Sequence, residues 1–139
     1  MKFVSVAAGL ATAVSSVFSQ TITLGYPTNG VILTPGQSFT AQVIQPESMA
    51  SCIQVGIALA MDTCTNGVCL QPANQLGDVL YAGPWTPTGH PQGGFYQNFT
   101  LQVPDFTPGP AVFTLTHLCL LGGGPYPFLE FRNASVTIA

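Results

Sequence analysis

Apolar and polar side chains alternate with a period of two along most of this chain. After a Pro35-Gly36 turn, Phe39, Ala41 and Val43 alternate with Thr40 and Gln42; Ile53, Val55, Ile57, Leu59 and Met61 then alternate with Gln54, Gly56, Ala58 and Ala60. Phe95, Gln97, Phe99, Leu101 and Val103 oppose Tyr96, Asn98, Thr100 and Gln102. Phe113, Leu115, His117, Cys119 and Leu121 oppose Thr114 and Thr116, and Ala134, Val136 and Ile138 oppose Asn133, Ser135 and Thr137. Alternation of this kind sends successive side chains to opposite faces of a strand. Weaker strands at 21–25, 31–33 and 79–82 bring the total to seven or eight, separated by Pro/Gly turns. The pattern predicts an all-β fold, an immunoglobulin-like antiparallel β-sandwich of short strands, with a partly open barrel as the alternative. The small partners in the 53–61 run predict a strand covered on both faces. The longest irregular loop falls at 83–94.

The first nineteen residues break the pattern. Lys2 gives a positive start, 3–14 is apolar but too short for a membrane span, and Val17-Phe18-Ser19 precedes an expected cut at Gln20. That reads as a secretory signal peptide over 1–19, leaving a single domain over 20–139 that is freely secreted and not membrane-bound. Removing Lys2 leaves Arg132 as the only Lys or Arg, and one cation against five carboxylates gives a formal charge of −4. A nucleic-acid or anionic-membrane surface needs clustered cations and cannot be built from one.

The expected secretion changes how Cys52, Cys64, Cys69 and Cys119 are read: an even number outside the cell implies two disulfides. A strand over 53–61 holds Cys52 and Cys64 about 30 Å apart, far beyond disulfide reach. Asn66-Gly67 marks a tight reversal that returns Cys69 to Cys64. The pairing expected is Cys64 with Cys69 and Cys52 with Cys119. The second bond would tie the start of one strand to the end of an antiparallel neighbour.

Candidate chemistry is sparse. His90, His117 and the sulfur residues invite a copper reading on a β-sandwich, but no His or Met follows Cys119, so the clustered late ligands of such a site are missing. No metal or other cofactor is expected; His117 reads as a core residue bonded to backbone and His90 as a solvent-facing loop residue. Asp62, Asp78, Asp105 and Glu130 each fall at an expected strand end or turn, and no pair stands out as an acid and base. There is no Gly-x-Ser-x-Gly elbow, and Gly122-Gly123-Gly124 leads into Pro125 instead of a helix. The chain is therefore not expected to be an enzyme.

Binding remains. Tyr81 and Trp85 sit in or beside a proline-rich loop, and Tyr126 and Phe128 in the loop expected before the last strand; aromatics held by prolines anchor protein partners or stack on sugars. Trp85 capping the core is the competing account. The sequons Asn98-Phe99-Thr100 and Asn133-Ala134-Ser135 place both acceptors on the polar phase of a strand, so Asn98 and Asn133 are expected glycosylation sites.

The segment Gly77-Asp78-Val79-Leu80-Tyr81-Ala82-Gly83, followed by Phe95 through Pro104, Pro108-Gly109-Pro110-Ala111, Leu115-Thr116-His117 and Asn133 through Ile138, resembles the fungal necrosis-inducing secreted protein (Nis-type) effector family. The resemblance covers most of the chain after residue 19, including Pro35-Gly36-Gln37. It implies a small secreted effector of a plant-associated fungus, associated with host cell death or suppressed immune signalling through contact with receptor-associated kinases. The second reading is a carbohydrate-binding or wall-associated module using Trp85 with Tyr81 or Tyr126.

Overall fold

The computed structural model describes residues 22–47 and 52–139; the expected leader lies outside the described residues. Among the described residues nine strands form: β1 Thr23–Tyr26, β2 Ile32–Leu33, β3 Ser38–Gln45, β4 Cys52–Thr63, β5 Asp78–Gly83, β6 Thr88–Gly89, β7 Phe95–Gln102, β8 Gly109–Leu121 and β9 Tyr126–Ile138. They make two sheets, one ordered β1-β3-β7-β6 and the other β2-β9-β8-β4-β5. The all-β, two-sheet architecture is the one the alternation predicts.

The five-stranded sheet curls into a half-barrel, its far edge is a parallel β2–β9 pair, and β8 and β9, 13 residues each, form one hairpin in continuous register from Gly109↔Ile138 to Leu121↔Tyr126. Tyr126, Pro127 and Phe128 therefore belong to β9, not to a loop before it. The turn over 122–125 is tight enough for pairing to resume at Tyr126. The stretch read as the longest loop, 83–94, holds the two-residue β6.

Both disulfides form as the geometry of the sequence requires, Cys52–Cys119 and Cys64–Cys69, with Cα separations of 5.8 and 4.2 Å. The short one closes on a miniature hairpin: Thr65 and Val68 exchange both backbone hydrogen bonds across Asn66 (φ 51°) and Gly67 (φ 75°). Positive φ at both central residues is what a two-residue hairpin turn needs and what Asn-Gly supplies most readily. The start of β4 does lie beside the end of β8, with Cys52 opposite Leu121.

One strand departs from its expected phase. Along β4 the register passes from Gln54↔Cys119 to Gly56↔Leu118, so Val55 is an extra, bulged residue. A bulge adds one residue without disturbing the sequence alternation, yet it swaps the faces on either side of it. Ile57, Leu59 and Met61 point into the core as expected, whereas Ile53 (59% exposed) and Val55 (54%) point out. Cys52 and Gln54 take the inner face instead, bringing Cys52 onto the face of Cys119.

Between the sheets, Phe39, Ala41, Val43, Phe99 and Leu101 of one meet Leu59, Met61, Phe113, Leu115 and Val136 of the other. Phe39 and Phe113 join them edge to face, with ring centroids 5.8 Å apart at 83°. This single core leaves the outer faces of both sheets as the available surface.

Candidate functional site

The inner face of the five-stranded sheet carries a polar cluster at the bulged end of β4. His117 on β8 is fully buried, and opposite it on β9 sits Glu130, also buried. The His117 Nδ1–H donates to Glu130 Oε1 at 3.0 Å, and Arg132 Nη2 donates to Glu130 Oε2 at 3.0 Å. The lone cation of the 20–139 region thus neutralises a buried carboxylate; like its expected placement at a strand end, the reading of Glu130 as a turn residue fails. Glu130 is mid-strand on the inner phase. His117 is the core residue expected, and it bonds to the side chains of Glu130 and Gln54. Because the bulge turns Gln54 inward, its amide meets His117 Nε2.

Burial holds the His117 imidazole below its ordinary range, outweighing the upward pull of its hydrogen bond and charge interaction with Glu130; Arg132 lowers it further. A neutral ring that donates from Nδ1 must accept at Nε2, where the structure places Gln54 Oε1, so the amide O and N are exchanged to bring its NH₂ to the ring. Stability should accordingly fall as pH drops below about 6.5, where the unfolded chain takes up a proton that the folded ring resists. Gln54→Glu places a carboxylate at Nε2 and should raise the His117 pKa. NMR titration of the ring should show that rise, and urea unfolding at pH 7.5 and 5 should show a smaller loss of stability on acidification than in the parent.

His117 also brings together a potential ligand set, with Cys52, His117 and Cys119 offering atoms all within 4.8 Å of one another. Both sulfurs are joined in the disulfide, and thiolate is the form that ligates metals.

The four aromatics proposed for binding separate in the structure. Trp85 is 2% exposed. Tyr81 Oη–H donates to the Pro84 carbonyl at 2.6 Å and the Thr86 N–H donates to Gln97 Oε1 at 2.8 Å. These bonds brace the 84–87 loop from both sides while the indole packs edge-on against His117, centroids 5.2 Å apart. Trp85 is therefore a core residue and not a contact residue, a correction that the competing account of a capped core anticipates. Tyr81 is committed too, packed on Phe99 with centroids 4.6 Å apart. Phe128 is half-buried on the inner phase opposite Cys119, leaving Tyr126, 48% exposed at the hairpin end, as the accessible member. His90, expected in solvent, is half-buried and stacks flat on Tyr96 at 3.5 Å.

Sequence reasoning missed the surface on the other side of the same sheet. Val55, Leu118, Leu129, Thr116, Gly83 and Pro84 line a shallow groove of about 420 Å³, none of them charged. Leu118 and Leu129 are cross-strand partners, and Leu129 is 55% exposed. Gly56 forms part of the floor; a Cβ there would stand 2.9 Å from the Gly83 carbonyl oxygen, so the close approach of β4 to the end of β5 depends on glycine. Ile53 extends the apolar surface beyond the bulge. The signal available in the sequence was Leu118 and Leu129 on the phase opposite the core.

Disulfide-framed strands, a braced Trp loop and an uncharged outer groove come together over the part of the chain that a family model also recognises: the Nis1 family model matches residues 19–137. The chain belongs to the Nis1 family. No curated protein matches it. The match takes in both disulfides, the bulged strand and every residue of the groove, so this Nis1-family protein carries the surface within its family region and not in an appended segment. Among the described residues no helix is long and apolar enough to cross a membrane.

Proposed function

We propose that the protein is a secreted, non-enzymatic effector that works by protein contact, through the outer face of the five-stranded sheet at the bulged end of β4. Membership of the Nis1 family supports an effector-like role, and two disulfides accord with an extracellular life. The observation that carries the choice of surface is the outward Ile53, Val55 and Leu129, each more than half exposed, beside a groove without charge. Solvent-facing apolar side chains gathered in one place mark interaction sites more often than single ones do. The complementary partner is an apolar, uncharged protein surface, and the family resemblance directs the search to receptor-associated immune kinases of a host plant.

Tagged protein expressed in host tissue should co-precipitate such a kinase and alter immune signalling. Val55→Glu and Leu129→Glu, which place charge in the groove, should lose the kinase, while Thr40→Glu on the exposed face of the other sheet should keep it. Recovery of no immune kinase together with unaltered signalling would defeat the reading. The polysaccharide alternative has lost its principal anchor with Trp85 buried; retention on chitin, glucan or cellulose that depends on Tyr126 is the result that would restore it.

A further inference from the structure

Each sequon carries an aromatic ring two residues upstream of its acceptor: Tyr96-Gln97-Asn98-Phe99-Thr100 within β7 and Phe131-Arg132-Asn133-Ala134-Ser135 within β9. Residues i−2, i and i+2 of a strand share a face, so ring, acceptor and hydroxyl residue line up on the outward side each time. Asn98 and Asn133 are exposed, as are Thr100 and Ser135, and Tyr96 and Phe131 are half-buried. The ring starts about 7 Å along the strand from its acceptor, within reach of a sugar attached there. Across the ladder the neighbours of Phe131 and Asn133 are the short Thr116 and Thr114.

We propose that Asn133 and Asn98 are N-glycosylated and that the first N-acetylglucosamine of each glycan packs its apolar C–H face on Phe131 and Tyr96 respectively. In the transfer, a bond forms between the Asn Nδ2 and C1 of the sugar. The C1–O bond to the diphosphate of a lipid-linked oligosaccharide donor breaks, and the amide proton leaves with the lipid diphosphate. Packing a saturated ring on an aromatic face buries apolar surface on both, and the strand holds the two in line before the sugar arrives. One face of Tyr96 is already covered by His90 at 3.5 Å, so the larger effect belongs to Asn133.

The inference rests on the secretory reading, and its test is arranged to be independent of residues 1–19. The 20–139 region is secreted from a glycosylating eukaryotic host behind an established foreign leader, and occupancy is read by intact mass, with Asn133→Gln and Asn98→Gln each removing one glycan. Glycans are then trimmed to a single N-acetylglucosamine and melting temperatures compared. That one sugar at Asn133 should raise Tm by about 3 °C over Asn133→Gln. The increment should vanish in Phe131→Leu, which keeps an apolar side chain of similar reach. A smaller increment at Asn98 should likewise vanish in Tyr96→Leu. Bare asparagines in the secreted parent, or an increment at Asn133 unchanged by Phe131→Leu, would overturn the proposal.

Discussion

Trp85→Ala should lower the unfolding free energy by about 3–5 kcal/mol, the range for deleting a large buried aromatic. The indole is among the largest fully buried side chains and closes the end of the core against His117. Its loop is braced by the bonds from Tyr81 and Thr86, which leave little freedom for the site to collapse into the space. Far-UV circular dichroism during urea unfolding is the suitable probe, because the substitution removes the only tryptophan. Trp85→Phe keeps a ring in place and removes an indole N–H that has no hydrogen-bond partner among the described residues, so it should cost much less than the alanine variant. A loss under about 1 kcal/mol for Trp85→Ala would show that the ring is not part of the core. The same measurement protects the binding assays: polysaccharide retention lost in Trp85→Ala counts as sugar contact only where circular dichroism shows the variant still folded.

Replacing both Cys52 and Cys119 with Ala should cost about 4 kcal/mol, and replacing both Cys64 and Cys69 about 2 kcal/mol. The difference follows from sequence separations of 67 and 5 residues, since a longer closed loop removes more freedom from the unfolded chain. Guanidinium unfolding of the two variants side by side checks the ranking. The longer bond has a second consequence: it fastens the bulged end of β4 to β8 beside His117, where Gln54 must stay inward to meet the ring. His117 in the Cys52→Ala, Cys119→Ala variant should therefore show a broadened or shifted Nε2 resonance. Equal stability losses for the two pairs would mean that strain or residual structure, not loop closure, sets their contributions.

Much of this fold is legible in the chain because period-two alternation and Pro/Gly punctuation are local. The inward phases of β3, β7 and the 111–117 part of β8 follow directly from them, as do the Asn66-Gly67 hairpin and the choice of disulfide partners, which needs only strand length and turn chemistry. Ile53 and Val55 show where this reasoning fails. Their alternation continues unbroken into Ile57, and only pairing with β8 reveals that Val55 is bulged. Glu130 fails for a related reason: a lone acid looks like a turn residue until the hairpin sets it opposite His117 and beside Arg132.

The sequence by itself determined an all-β chain with two disulfides and two outward-facing sequons, because each depends on neighbours within a few residues or on a distance that strand geometry fixes. The tertiary structure alone decided that Trp85 turns inward, that His117, Glu130, Arg132 and Gln54 form one buried cluster, and that Val55, Leu118 and Leu129 share an open apolar groove. Those outcomes depend on which strand pairs with which and on where a bulge reverses the faces, both set by long-range packing.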